Sequence, residues 1–311
     1  MIGGSRNHGG CISHAMSDWE SELTGRVLVL VAHADDESVG YGALLLRMRE
    51  AFVVIATDGA PRDEYFWGRF GSRENYRAVR RDEARRAMRL AGVQELVLLA
   101  EEDSRLEDQR LFLNLVPAYE RLEKLVERTR PEAIATLAYE GGHPDHDSCS
   151  LLGARLGERY NLPVWEAPLY HWANAPLSNP HLPTEGRYGA PEAVLSPTLA
   201  AQRTRAEGGA PGVPAGAMRV QQFVCETGDE VVVEVGDGEL ERKRAMCAQY
   251  ASQGDFLQTF DARRELMRPQ VKYEYGEAPH EGQTNYERWQ WWMSAREVSA
   301  KFQEFLETRV E

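Results

Sequence analysis

Basic charge is what this chain has too little of. It carries 36 Lys and Arg against 49 Asp and Glu, a formal charge of -13. That balance excludes nucleic acid or anionic lipid as the main partner, because both are held by a basic footprint. Cysteine is also sparse: Cys11, Cys149, Cys225 and Cys247 show no C-x-x-C spacing. A disulfide framework and a thiolate metal site are thereby disfavoured, and reduced thiols in a cytoplasmic protein are expected. Long apolar runs are missing too. None approaches the roughly 18 residues of a membrane span, and the N-terminus lacks the apolar stretch of a signal peptide. What is plentiful is core-forming material, 42% of 311 residues, enough for one large or two small globular domains. Small neutral or cationic ligands remain open as partners.

Residues 1–22 begin Gly- and Ser-rich and without periodicity, and read as a mobile tail; His8, Cys11 and His14 lie there at a spacing that chance explains. From Gly25 to about Tyr170 short apolar runs alternate with amphipathic segments, the pattern of βα units around a parallel sheet. Strands are expected at 27–32, 52–57, 95–99, 133–138 and 163–169, apolar on both faces and so covered by helices on both sides. Helices are expected near 38–50, 72–91, 117–129 and 148–160, with Pro117 in a first turn and Pro131 as a stop. The fold class is thus α/β, a Rossmann-like, mostly parallel sheet of order 3-2-1-4-5 over 23–170. Residues 171–311 are expected to complete that domain: a long Pro/Gly-rich loop at 173–222, a hairpin in FVCETGDEVVVEV, and helices at 239–252 and 286–306. In the last of these, Trp289, Trp292, Phe302 and Phe305 fall near helical spacing and read as core.

Two polar clusters interrupt this apolar scheme. VLVLVAHADDESVG, residues 27–40, ends its strand on His33, Asp35 and Asp36, and GGHPDHD, residues 141–147, follows the fourth strand with His143, Asp145 and His146. In a 3-2-1-4-5 sheet the first and fourth strands are neighbours, and ligands bind beyond their carboxyl ends where the strand order reverses. Two histidines and a carboxylate suit one divalent ion with a place left for water, and the spare carboxylate and histidine suit proton transfer. Taken singly, Asp36 also suits a helix cap, His143 and His146 suit a solvated loop, and Arg80 in RAVRRDEARRAMR suits a salt-bridged helix face. Two such clusters at equivalent strand ends favour the metal.

Ala32-His33-Ala34-Asp35-Asp36-Glu37 resembles the A-H-P-D-D-E motif of the PIG-L/LmbE-like zinc-dependent N-acetylglucosaminyl deacetylase family, and His143-Pro144-Asp145-His146 resembles its second motif. Thr57-Asp58-Gly59, Arg80-Arg81-Asp82-Glu83 and Lys243 with Ser252-Gln253 extend the likeness over roughly residues 25–255. The resemblance implies that His33, Asp36 and His146 bind Zn2+ and that Asp35 is the general base. It implies that His143 is general acid or oxyanion partner, oriented by Asp145, and that Arg80 binds substrate. The implied reaction is hydrolysis of an N-acyl group, typically N-acetyl from an amino sugar. Ala34 stands where the family has proline. Gly141 and Gly142 stand where mycothiol-pathway members carry an aromatic hydroxyl, so that an oxyanion helper must come from elsewhere.

In DEYFWGRF, residues 63–70, the aromatic side chains Tyr65, Phe66, Trp67 and Phe70 are either a sugar-stacking platform, with Trp67 in substrate binding, or packing under a lid or subunit contact. His280 is expected at the surface. Three other readings stand beside the deacetylase: an amidase on a non-sugar or thiol-conjugate substrate, a non-catalytic binding relative, and an Fe2+ enzyme, since two histidines and a carboxylate also suit iron. A homo-oligomer is compatible with the sequence.

Overall fold

Arg26–Val31 (β1) and Glu50–Ile55 (β2) are buried along all but their first residue, as strands covered on both faces must be. They pair in parallel from Arg26 opposite Glu50 to Val31 opposite Ile55. Glu95–Leu98 (β3) pairs with β2, Ala133–Leu137 (β4) with the other side of β1, and Val164–Ala167 (β5) with β4, all in parallel. The order 3-2-1-4-5 expected from the sequence is present. The computed structural model describes residues 19–173 and 218–308. The tail histidines and most of the 173–222 loop lie outside that range.

Past a two-stranded pair, Tyr170–His171 (β6) with Arg219–Val220 (β7), the sheet continues. Val231–Glu234 (β8) and Arg264–Pro269 (β9) extend it to seven strands in the order β3-β2-β1-β4-β5-β9-β8, β9 running antiparallel to both neighbours. This corrects the expected hairpin. Phe223–Cys225 forms no strand, and Val231–Glu234 pairs instead with β9. An isolated two-stranded ribbon is marginal in water, whereas addition to the sheet edge buries Val233 completely enough to leave it 1% exposed.

The 36–45 helix is buried at all ten positions because a second helix, Asp237–Cys247, lies across it. Lys243 crosses the gap: its Nζ donates to Val39 O at 3.0 Å and to Glu265 on β9 at 2.6 Å. A methyl group at Gly42 would stand 3.0 Å from Lys243 Cγ, so the absent side chain is what lets the lysine pass. The Arg73–Ala91 helix is capped by Ser72, which accepts from Asn75 N–H at 3.1 Å, and ends at left-handed Gly92. Leu122, Leu125 and Val126 form the inward face of the Leu115–Thr129 helix. The helix expected at 286–306 is two, Asn285–Arg288 and Ala295–Glu307, each opened by its own capping box. The tryptophans between them are not core: Trp292 is 49% exposed. No described helix is long and apolar enough to cross a membrane.

Candidate metal centre and cavity

β1 and β4 are adjacent and parallel, so the turns that leave their carboxyl ends meet. The first turn carries His33, Asp35 and Asp36; the second carries His143, Asp145 and His146, and all six are nearly inaccessible. His33 Nδ1 lies 3.2 Å from His146 Nε2. Asp36 Oδ2 is 3.5 Å from the former atom, and its Oδ1 is 3.4 Å from the latter. Three ligands bound tetrahedrally at about 2.0–2.1 Å stand about 3.3 Å apart, so the donor set fits a single cation. Neither histidine is a solvated loop residue, and Asp36 is the first residue of its helix rather than the cap.

The electrostatics of the two histidines differ: burial lowers His146, whereas at His33 burial is outweighed by the carboxylates of Asp108, Asp145 and Asp36, which raise it well above its ordinary value. Asp35, Asp36, Asp108 and Asp145 are all buried around His33, and Arg80 is the buried guanidinium that faces them. Burial pushes Asp36 up, but the imidazoles of His146 and His33 outweigh it and hold the carboxyl well below its ordinary value. Burial keeps His146 below the usual histidine value, the neutral form a ligand needs. Burial raises Asp35 to about 7 against the opposing pull of Arg80, whose Nη1 is 3.4 Å from Asp35 Oδ2. Asp35 also has φ of 125°, a conformation rare outside glycine. Its N–H donates to Glu37 Oε2 at 3.1 Å, and Tyr250 in turn donates to Glu37 Oε1 at 2.5 Å. The late QYASQ segment thus holds the turn that presents Asp35.

The carboxylate of Asp145 has its Oδ2 3.8 Å from His143 Nδ1, and its nearer partners lie elsewhere. It accepts Gln109 N–H at 2.6 Å and Leu111 N–H at 3.0 Å, and faces His33 Nε2 at 3.3 Å. It therefore steadies the His33 imidazole, as a carboxylate does for a ligand histidine whose second N–H it accepts. His143 Nδ1 instead accepts the backbone N–H of Asp145 at 3.1 Å, because His143 is the N-cap of the Pro144–Tyr160 helix. With Nδ1 accepting, Nε2 is the ring's available donor, and it stands 3.4 Å from Asp108 Oδ1.

Asp108 is a site residue that sequence reasoning missed. It sits in EEDSRLEDQR after β3, where acidic residues crowd and no apolar pattern singles one out. The strand-end rule applied to the third strand would have pointed there. With His33, His143 and Asp145 it makes a second group of potential ligands sharing His33 with the first. Its place is fixed by Asp58, whose Oδ1 accepts Asp108 N–H at 2.9 Å while its Oδ2 holds Arg73 and Arg77 at 3.0 and 2.6 Å.

These groups lie in one cavity of about 540 Å3, within the range of small-molecule sites. Arg80 lines it, and so do Tyr65 and Phe66 from the aromatic loop; Trp67 and Phe70 do not. Tyr170, Phe256 and Trp291 complete an aromatic side, with the Trp291 and His143 ring centroids 5.0 Å apart. Trp291 lies between Trp289 and Trp292, the two that helical spacing assigned to the core, and was itself not singled out. His280 is neither exposed nor in the cavity; it is half-buried, its ring 6.3 Å from that of His171.

Residues 28–156 match the family model described as PIG-L: GlcNAc-PI de-N-acetylase. A probable N-acetyl-alpha-D-glucosaminyl L-malate deacetylase 2 of Bacillus subtilis is 29% identical over 132 residues, which are 40% of this chain and 56% of that protein. Its counterpart in Bacillus cereus is 27% identical over 150 residues, 47% of this chain and 66% of the relative. The matches thus span less than two thirds of either relative's length. Among solved structures, a deacetylase triple mutant of the teicoplanin biosynthetic pathway superposes with a TM-score of 0.53 at 18% identity, covering 80% of this chain and 98% of its own. A deacetylase–teicoplanin complex gives 0.52 at 16% identity, covering 78% and 97%. These structures share the fold. Taken with the paired strand-end clusters, the family match identifies residues 28–156 as a PIG-L family domain.

Proposed function

We propose that this chain is a divalent-cation-dependent hydrolase, with Zn2+ as the ion, that removes the N-acetyl group from an N-acetylglucosamine-type amino sugar. The observation that carries this reading is the trio of His33 Nδ1, His146 Nε2 and the Asp36 carboxylate at 3.2–3.5 Å from one another, with Asp35 beside it. The names of the Bacillus relatives supply the substrate class. A cation held by the trio supplies a Lewis acid for the amide carbonyl and lowers the pKa of water toward neutrality.

The protein's own groups do the rest. Asp35, ionised at neutral pH or slightly above, accepts one proton of the attacking water and can return it to the departing nitrogen. The water oxygen bonds to the acyl carbon while the carbonyl π pair moves onto its oxygen; the carbonyl then re-forms as the C–N bond breaks and the nitrogen takes the proton, which releases the free amine and acetic acid, ionised to acetate. His143, whose Nδ1 accepts the Asp145 backbone N–H, presents Nε2 as a hydrogen-bond donor to the carbonyl oxygen; of the two roles the resemblance implies, this is the one its helix-cap bond favours. Arg80 opposes the effect of burial on Asp35 and borders the sugar's place in the cavity.

The test is release of free amine from N-acetylglucosamine and its glycosides by zinc-loaded protein, with thiol-conjugated amides in parallel. Amine from the sugars is the expected result. No amine from any sugar, by protein that holds one zinc per chain, would overturn the reading.

A further inference from the structure

The inference rests on the hydrolase reading above and concerns how Asp35 is held. Asp35 is the N-cap of the 36–45 helix, its carbonyl oxygen accepting the N–H groups of Ser38 and Val39 at 3.0 Å each, yet its side chain makes no cap bond. A capping aspartate ordinarily turns its carboxylate onto the first helical N–H groups. With φ at 125° the carboxylate instead lines the cavity, its Oδ2 facing Arg80. An aspartate keeps so unfavourable a backbone only where its surroundings over-determine it.

Glu37 supplies the restraint. It is wholly buried; its Oε2 accepts the Asp35 N–H at 3.1 Å, and its Oε1 accepts the hydroxyls of Ser38 at 2.7 Å and Tyr250 at 2.5 Å. Ser38 is its neighbour on the same helix, so Tyr250 is the partner that ties this carboxylate to a distant part of the chain. Tyr250 is itself inaccessible, and the chain just beyond it is anchored. Ser252 donates to Glu83 from its N–H at 2.8 Å and from Oγ at 2.6 Å, and Gln253 Nε2 donates to the Tyr76 hydroxyl at 2.6 Å. Tyr76 and Glu83 flank Arg80 on the Arg73–Ala91 helix. The helix that sets Arg80 against the Asp35 carboxylate thus also fixes the Asp35 backbone, through residues 250–253 and Glu37.

We propose that Tyr250 is a positioning residue for the proton transfer: its hydroxyl, acting through Glu37, locks the Asp35 backbone at the positive φ that aims the carboxylate into the cavity. Tyr250 lies outside residues 28–156, so the base of the matched domain is set by chain that follows it. It neither lines the cavity nor belongs to the metal donors. Its loss therefore reaches the reaction only through Asp35.

Tyr250→Phe removes one oxygen and keeps the ring. With zinc-loaded protein and N-acetylglucosamine, kcat is expected to fall about tenfold or more, with KM within about threefold and zinc content as in the wild type. A tyrosine that merely stabilises the fold would lower turnover whether or not Asp35 is present. The same substitution is therefore made in the Asp35→Asn background, where the residual kcat is expected to change by less than about twofold. A readout that needs no turnover is amide hydrogen exchange: the Asp35 N–H should exchange about tenfold faster in Tyr250→Phe, with exchange along β1 unchanged. Unchanged kcat, an equal fractional loss with and without Asp35, or unchanged exchange at Asp35 overturns the assignment. If Tyr250→Phe fails to fold, Tyr250→Phe combined with Glu37→Gln, which leaves no buried charge short of a partner, is compared with Glu37→Gln alone under the same criteria. If the wild type releases no amine from the sugar, the deacetylase reading falls by itself, and exchange at Asp35 still decides whether Tyr250 holds that turn.

Discussion

The polar end of the cavity takes its metal donors from two turns, 33–36 and 143–146, each attached directly to a strand of the central sheet, β1 or β4. The aromatic end is assembled from Tyr65 and Phe66 before the Arg73–Ala91 helix, Phe256 after the QYASQ segment, and Trp291 between the last two helices. The donor turns inherit their geometry from strand register: β1 and β4 are locked side by side, so His33 and His146 can meet within 3.2 Å. The aromatic side has no such frame, and its members come from stretches far apart in the chain. Chemistry is therefore placed where backbone hydrogen bonds leave least freedom, and substrate selection where loops can change without disturbing it.

If that division holds, substitutions at the two ends should break different things. The largest effect is expected at a metal donor. His146→Ala should abolish bound zinc and lower activity by ~10³-fold or more, read by metal analysis and amine release; full zinc content in that variant would remove His146 from the site. Asp35→Asn should leave one zinc per chain yet cut kcat by about 10²–10⁴-fold if Asp35 moves the proton and holds no metal, as proposed. Asp145→Asn sharpens the picture one step out. Its carboxylate steadies His33 and the 109–111 loop, so zinc affinity should drop by about 10–100-fold in a competitive chelator titration, with activity restored by excess zinc.

At the aromatic end the response should be milder and of another kind. Trp291→Ala is expected to raise KM by about 2–10-fold, the worth of one aromatic contact, with zinc content unchanged. A loss of zinc there would mean that the two ends are not separable. The smallest effect is a pH dependence of stability near the same wall. His171 is inaccessible, and burial, with His280 nearby, lowers its pKa to about 4. Since the folded value lies below the unfolded one of about 6.5, the folded state binds fewer protons; this contribution is complete above pH 6.5 and is lost as pH falls toward 4. Denaturant titrations at pH 7 and pH 5 should differ by about 2 kcal/mol more in the wild type than in His171→Gln.

The parallel sheet was legible because strands buried on both faces are apolar throughout, and the expected strands fall within two residues of those present. The donors were legible because histidine and aspartate at an apolar strand's end have no packing reason to be there. What escaped is non-local. Val231–Glu234 reads as half of a hairpin, but its partner is β9, beyond an intervening helix. WQWW matches a helical core stripe, but the capping residues Thr284 and Ser294 divide the segment and turn Trp291 to the cavity. Asp108 hides among equivalent acids until Asp58 fixes its backbone. Asp145 reaches His143 through its backbone N–H, and a second partner of its carboxylate, His33, was not legible.

The account turns on one cation at the meeting of the β1 and β4 turns. Anomalous diffraction at the zinc edge from crystals of zinc-loaded protein tests it directly. One peak within about 2.3 Å of His33 Nδ1, His146 Nε2 and an Asp36 carboxylate oxygen is the result expected. A peak centred instead on Asp108 and His143, or no peak between the two histidines, would contradict it.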